Sequence, residues 1–529
     1  MKTPLALVLF LSGLATGTLA TPVEPAPAAA VGPVEPVEVV DEVGDLERDL
    51  AGKDDGRRRS AIGKLIDIGT TEAWLVVVEA LANDEPMASD EAQKRLAEAT
   101  DPKVLKALFG KDGLGHKQSE VRRRVAELIG RRAAVEPDLL RKALKEKDPE
   151  VRRMLLWSAE RAAQAGALGD EDRDKLEKEL AKAAGRDKDA ACRGAALFAL
   201  AAVRGADAVG EELADLAGDK APAARCGAAR VAGQTGTATG GLEVLRVLAG
   251  DDDAGVRRAA LFALAERGAN GERAVLEVLV SRLETEERPR LAWTAVDTMQ
   301  RLSGMGYRLD PRPWRRWLEQ LPEDWTPAEG APEEAKNDRG EASVAFAGMP
   351  LLSDRLAFLM DFSGSIWTEK DGKLPKDQIG AELDRALDRL DDGTHFNLIP
   401  YTHDPLPWRE ELVRAKPKEV AAAKAYFADC KARGAGNVYD AIQTALADPA
   451  VDTVVILSDG KPSGGSRWNI HLMIPALVEQ ARYRPVAFDS ILVGEPGWIT
   501  AHWERLADAT GGRVVEVALS EVGEPEPER

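Results

Sequence analysis

A short segment with an arginine in a fixed place returns through the first half of this 529-residue chain. It reads Glu120-Val-Arg-Arg-Arg-Val, Glu150-Val-Arg-Arg-Met-Leu, Ala191-Cys-Arg193-Gly-Ala-Ala, Ala224-Arg225-Cys-Gly-Ala-Ala and Gly255-Val-Arg257-Arg-Ala-Ala. The arginines Arg122, Arg152, Arg193, Arg225, Arg257 and Arg290 are spaced by 30, 41, 32, 32 and 33 residues. Two helices and two turns fill such a period, and each pair buries its apolar face only by stacking on the next. The region from about 44 to 321, rich in Ala, Leu, Arg and Glu and nearly free of strand formers, therefore predicts an all-α solenoid and excludes a single globular core.

These segments resemble HEAT repeats, in which an acidic loop residue precedes a valine and an arginine at the start of the second helix. Asp148-Pro149-Glu150-Val151-Arg152 and Asp252-Asp-Ala-Gly-Val256-Arg257 carry the resemblance best. The arginine ladder is expected to pair with the acidic turns Asp148, Asp187, Asp219 and Asp251 rather than with a ligand. Gly194-Ala195-Ala196 and Gly227-Ala228-Ala229 let helices approach closely. Cys192 and Cys226, 34 residues apart in neighbouring repeats, read as buried small hydrophobes, too distant for a disulfide. The helix bearing Trp314 and Trp317 is expected to cap the stack, and the long curved face to dock a second protein partner.

The second half changes character. The uncharged run Leu356-Ala-Phe-Leu-Met360 reads as a buried parallel strand, and Asp361-Phe-Ser363-Gly-Ser365 follows it. Oxygen donors at alternate positions, on the loop leaving a strand, stand where open α/β sheets bind ligands, and such donors suit Mg²⁺, Mn²⁺ or Ca²⁺. D-x-S-x-S after an apolar strand resembles the metal-ion-dependent adhesion site of von Willebrand factor A (VWA) domains. Arg433-Gly-Ala-Gly436-Asn437-Val-Tyr-Asp440 resembles the family's second loop, and Val454-Val-Ile-Leu-Ser458-Asp459-Gly460 its third. The resemblance spans about 349–520 and implies an α/β doubly wound, Rossmann-like domain, with strands at 395–401, 452–458, 485–493 and 513–517.

The resemblance also implies the ligands. Carried over by position, Ser363 and Ser365 touch the cation, and Asp361 and Asp459 hold it through water, with Mg²⁺ first and Mn²⁺ or Ca²⁺ as alternatives. The family usually has a threonine before the asparagine of the second loop. Gly436 stands there, so one hydroxyl is missing, and a water beside Gly436 fills the place in this reading. Three loops on this end of the sheet carry Trp367, Trp468 and Trp498, read as a rim around the open position where a carboxylate of a protein partner binds.

Residues 1–20, with Lys2, an uncharged stretch to Leu14 and Thr18-Leu-Ala20, read as a cleaved secretory signal, so the protein is expected to be exported with no membrane span left. Residues 21–43 read as a Pro/Ala/Glu-rich spacer, 322–348 as a linker open to proteolysis between separately folding halves, and 521–529 as an acidic tail. A net charge of −19 argues against nucleic acid as a partner. No nucleophile motif, zinc motif or phosphate loop is present, so a non-enzymatic interaction protein is the reading. A metal-independent envelope scaffold and a metal-dependent hydrolase acting at Asp361 and Asp459 are the alternatives.

Overall fold

Several helices of the first half start where an acidic cap and a proline or small residue meet. Asp148 Oδ1 accepts from the Glu150 and Val151 amides ahead of the helix Pro149–Gln164, Asp189 caps Ala190–Arg204 and Asp253 caps Ala254–Ala269. Each cap satisfies amides that have no partner inside the helix. The computed structural model describes residues 37–132, 137–236, 240–330, 344–369, 374–494 and 497–518, the side chains of 37–41 and 365 excepted. The signal 1–20, the tail 521–529, most of the spacer and linker residues 331–343 lie outside this set.

Stacked helix pairs form the solenoid, and the arginine ladder sets their spacing. Arg122 pairs with Glu146, Arg152 with Asp187, Arg193 with Asp219, Arg225 with Asp251 and Arg257 with Glu286, the nearest N···O distance in each being 2.7 to 3.0 Å. Each guanidinium also donates to the carbonyl six residues before it, so one side chain ties its own turn to the next repeat. Asp148 is a helix cap instead, and Glu146 does the pairing. Arg290 is not a rung: Glu286 opens the last repeat as Asp251 opens the one before, which places Ala292 at the ladder position. Cys192 and Cys226 are buried thiols, and a Cβ on Gly227 would lie 2.6 Å from Gly194 Cα. Trp314 closes the stack, fully buried, with its indole donating to Arg308 O.

The first helix runs Val37–Ala51, starting inside the stretch read as spacer, because the spacing of its buried Val43, Leu46 and Leu50 is already helical. The linker is likewise shorter than expected. Strand β1 (Ala345–Phe346) turns back through Ala347 and Gly348 onto β2 (Met349–Pro350), and Phe346 is buried in the second core.

The second half is a six-stranded sheet of β3 (Arg355–Asp361), β4 (His395–Tyr401), β5 (Val413–Arg414), β6 (Thr453–Ser458), β7 (Ala487–Val493) and β8 (Arg513–Val517). The order is β5-β4-β3-β6-β7-β8, all parallel except β5 at the edge. The chain builds outward from β3 through β4 to β5, then returns to lay β6 on the other side of β3. The carboxyl ends of β3 and β6 therefore flank a topological switch point, where doubly wound sheets open a crevice.

The two halves do not stand apart. Tyr483, at the end of the helix Ile470–Gln480, enters the solenoid core beside Phe198, and a Cβ on Gly194 would lie 3.2 Å from its ring. Arg482 lies 3.7 Å over the Phe198 ring and pairs with Glu160. Arg153 pairs with Glu479, Arg467 with Glu127 and Arg290 with Asp489, all six side chains under a tenth exposed. The expectations of separable halves and of a solenoid face open to a second partner are corrected accordingly: the face bearing Arg124, Arg153, Gly194 and Arg290 is covered by the chain's own sheet domain.

Candidate functional site

Asp361 ends β3 with its side chain 4% exposed, so its charge must be compensated locally. Oδ1 accepts the Ser363 amide at 2.8 Å, and Oδ2 accepts the hydroxyl of Ser458, the last residue of β6, at 2.8 Å. Burial raises the Asp361 pKa, the Ser363 amide and Ser458 hydroxyl oppose that, and the neighbouring charge of Asp459 adds to it. Tyr401, in register with Asp361, places a buried phenol alongside, and burial followed by the Asp361 charge pushes its pKa up.

Beyond Asp361 the chain winds into a 3-10 turn over Gly364–Trp367, with Ser363 bridged to Gly434 of the second loop. The backbone of Ser365 lies in this turn. Its side chain is outside the described set. Asp459, one residue past β6, is exposed, and its Oδ1 accepts the Lys461 amide at 3.2 Å.

The second and third loops are tied to each other. Asn437 is buried, caps the helix Val438–Ala447 through Asp440 N, and donates to His403 O at 2.7 Å, so it acts as a clamp. Asp440 accepts the Ser466 amide of the third loop at 3.0 Å. Gly436 donates its amide to Ser463 Oγ at 2.7 Å, and the Ser463 amide returns a bond to Gly436 O at 3.1 Å.

The absent side chain at Gly436 leaves a cradle. A Cβ there would lie 3.3 and 3.6 Å from the two Asp361 oxygens and 3.4 Å from Ser463 Oγ. Carboxylate oxygens of the first loop and a hydroxyl of the third thus face the small space left open in the second. That donor set suits a hard divalent cation, and it contains no His or Cys to favour zinc. Among the described residues no group of three or more His, Cys, Asp or Glu is placed to hold a metal, so ligation at this site depends on hydroxyls and water.

The three tryptophans have different surroundings. Trp498 is 64% exposed and stacks on His471. Trp367 is half-buried against Phe362, with Arg433 4.5 Å over its ring. Trp468 is part of the domain contact, its backbone N–H donating to Asp90 of the solenoid at 3.0 Å.

Sequence reasoning missed Ser458, Tyr401, Ser463 and Asp90. Ser458 and Ser463 lie in a quoted or adjoining segment and carry a visible hydroxyl signal. Asp90 carries none. It is fully buried in the helix Pro86–Leu96, pairs with Arg124, and accepts the amides of Trp468 and Asn469, while Arg124 donates to Ser466 O at 3.0 Å. A residue of the first half therefore holds the third loop of the site.

A family model of HEAT repeats matches residues 176–265 and 210–300. Inter-alpha-trypsin inhibitor heavy chain H2 of Sus scrofa is 30% identical over 129 residues, 22% of this chain and 13% of that protein. Von Willebrand factor A domain-containing protein 3B of Homo sapiens is 28% identical over 112 residues, 21% of this chain and 8% of that protein. The chain thus spans a small part of the length of either relative. The solved von Willebrand factor type A from Catenulispora acidiphila is similar at 21% identity and a TM-score of 0.28, over 32% of this chain and 39% of that one. The chain carries HEAT repeats followed by a VWA domain.

Proposed function

We propose that the VWA domain of this chain holds one divalent cation, Mg²⁺ before Mn²⁺ or Ca²⁺, and through it grips a carboxylate of a protein partner. Ser363 and Ser365 are the direct hydroxyl ligands in this reading, and Asp361 and Asp459 the carboxylates that hold water. The observation that carries it is the oxygen-lined cradle at Gly436, at the switch point between β3 and β6. A bound cation supplies a positive point that an acidic side chain can meet. Trp498, exposed beside the third loop, adds apolar area at the rim. Export is part of the proposal, on the apolar segment ahead of Ala20, and no helix among the described residues is long and apolar enough to cross a membrane.

One observation favours the metal-independent scaffold instead: the buried Asp361 carboxylate is already compensated by two hydrogen bonds without a cation. Calorimetric titration of the full chain with MgCl₂, MnCl₂ and CaCl₂ separates the two. The cation reading expects one site, lost in Asp361→Ala. Because burial makes Asp361 hold its proton more tightly than an ordinary carboxyl, and a cation must displace that proton, affinity is expected to rise with pH through the acid range. Absence of binding heat at millimolar metal in a folded protein would leave the scaffold.

A further inference from the structure

Resting on the cation-site reading, we infer that Ser463 supplies the hydroxyl that Gly436 lacks. The second loop has no side chain at this position, and the third loop sends one into the same space: Ser463 Oγ lies 3.4 Å from the point a residue-436 Cβ would occupy, and Asp361 Oδ2 lies 3.3 Å from it. The amide of Gly436 fixes Oγ by donating to it at 2.7 Å. A serine hydroxyl has two lone pairs and one proton, so one lone pair remains for a cation after that bond is made.

The arrangement is reciprocal. A Cβ at 436 would touch Ser463 Oγ at 3.4 Å, so a hydroxyl carried at 436 and that of Ser463 would share one small space. The third loop is held for this task by residues of the solenoid and of its own domain. Arg124 fixes the carbonyl of Ser466, Asp90 the amides of Trp468 and Asn469, and Asp440 the amide of Ser466. Ser463, three residues before the first of these ties, is thereby pre-positioned rather than left to an untethered loop.

The role is tested by changing the softness of the donor atom. Mn²⁺ and Cd²⁺ are titrated calorimetrically into the full-length wild type, Ser463→Cys, Ser463→Thr and Asp361→Ala. If residue 463 is a direct ligand, Ser463→Cys loses Mn²⁺ affinity by about tenfold or more and gains Cd²⁺ affinity over wild type, since a thiol prefers the softer ion. Ser463→Thr keeps the wild-type Mn²⁺ affinity. A hydroxyl that only braces Gly436 predicts no Cd²⁺ gain.

Unchanged Mn²⁺ affinity in Ser463→Cys, or a loss without a Cd²⁺ gain, overturns the assignment of Ser463. If Asp361→Ala abolishes binding in that case, the cation site itself stands. A folded wild type that takes up no Mn²⁺ overturns both. Should Ser463→Cys melt early, Gly436→Thr combined with Ser463→Ala returns the hydroxyl to the second loop. It is expected to regain the affinity that Ser463→Ala loses, and failure to regain it counts against the assignment.

Discussion

Single residues at the site divide into those that build it and those that face outward. Trp503 is fully buried and donates to Gly460 O at 2.9 Å, supporting the third loop from beneath, whereas Trp498 is 64% exposed. Trp503→Ala should cost about 3–5 kcal/mol through cavity formation. Trp498→Ala should stay within about 0.5 kcal/mol, as surface changes do. Denaturant unfolding of both variants checks this, and a large loss in Trp498→Ala would mean that it packs rather than faces a partner. The sequence marks Trp367, Trp468 and Trp498 alike, each on a loop beyond a strand of the site. It does not rank their exposure, because Trp468 is covered by helices some 380 positions earlier in the chain, a contact that leaves no trace in local pattern.

Among the elements, the strands are the most legible. β3 and β6 are built on uninterrupted apolar runs, as parallel strands buried on both faces are, whereas β7 is broken by Asp489 and Ser490; the ends of all three fall within two residues of the expected ones. The arginine ladder is legible for the same reason, since a repeated role leaves a repeated residue. Arg290 breaks the pattern because it copies the spacing but serves the domain contact. The third loop is the least legible, as its anchors Asp90 and Arg124 lie in another domain. Asp90→Ala would take the nearer of two carboxylates from buried Arg124, leaving Glu120 at 3.3 Å, at a cost of about 1–3 kcal/mol. It would also free the amides of Trp468 and Asn469, whose hydrogen exchange should quicken relative to β6. Unchanged protection at those two amides would show that the loop stands without the solenoid.

Across the whole molecule, charge holds together what composition suggests is separate. Asp489 lies at the centre of one contact, fully buried in β7 between Arg290 and Arg513, whose attraction outweighs the cost of burial and holds its pKa below the ordinary range. Arg124, Arg153 and Arg258 carry no local mark of burial in a chain with 30% charged residues, yet each is buried against the sheet domain. A solenoid and a sheet joined by such pairs should unfold together, and a cation between the site's loops should stabilise the whole. Calorimetric melting of the full chain, with and without Mg²⁺, tests this most directly. The expected result is one transition that moves up with the cation, by about 2.7 kcal/mol at a hundredfold excess over Kd, and does not move in Asp361→Ala. A wild-type transition indifferent to Mg²⁺, or an equal rise in Asp361→Ala, would contradict it.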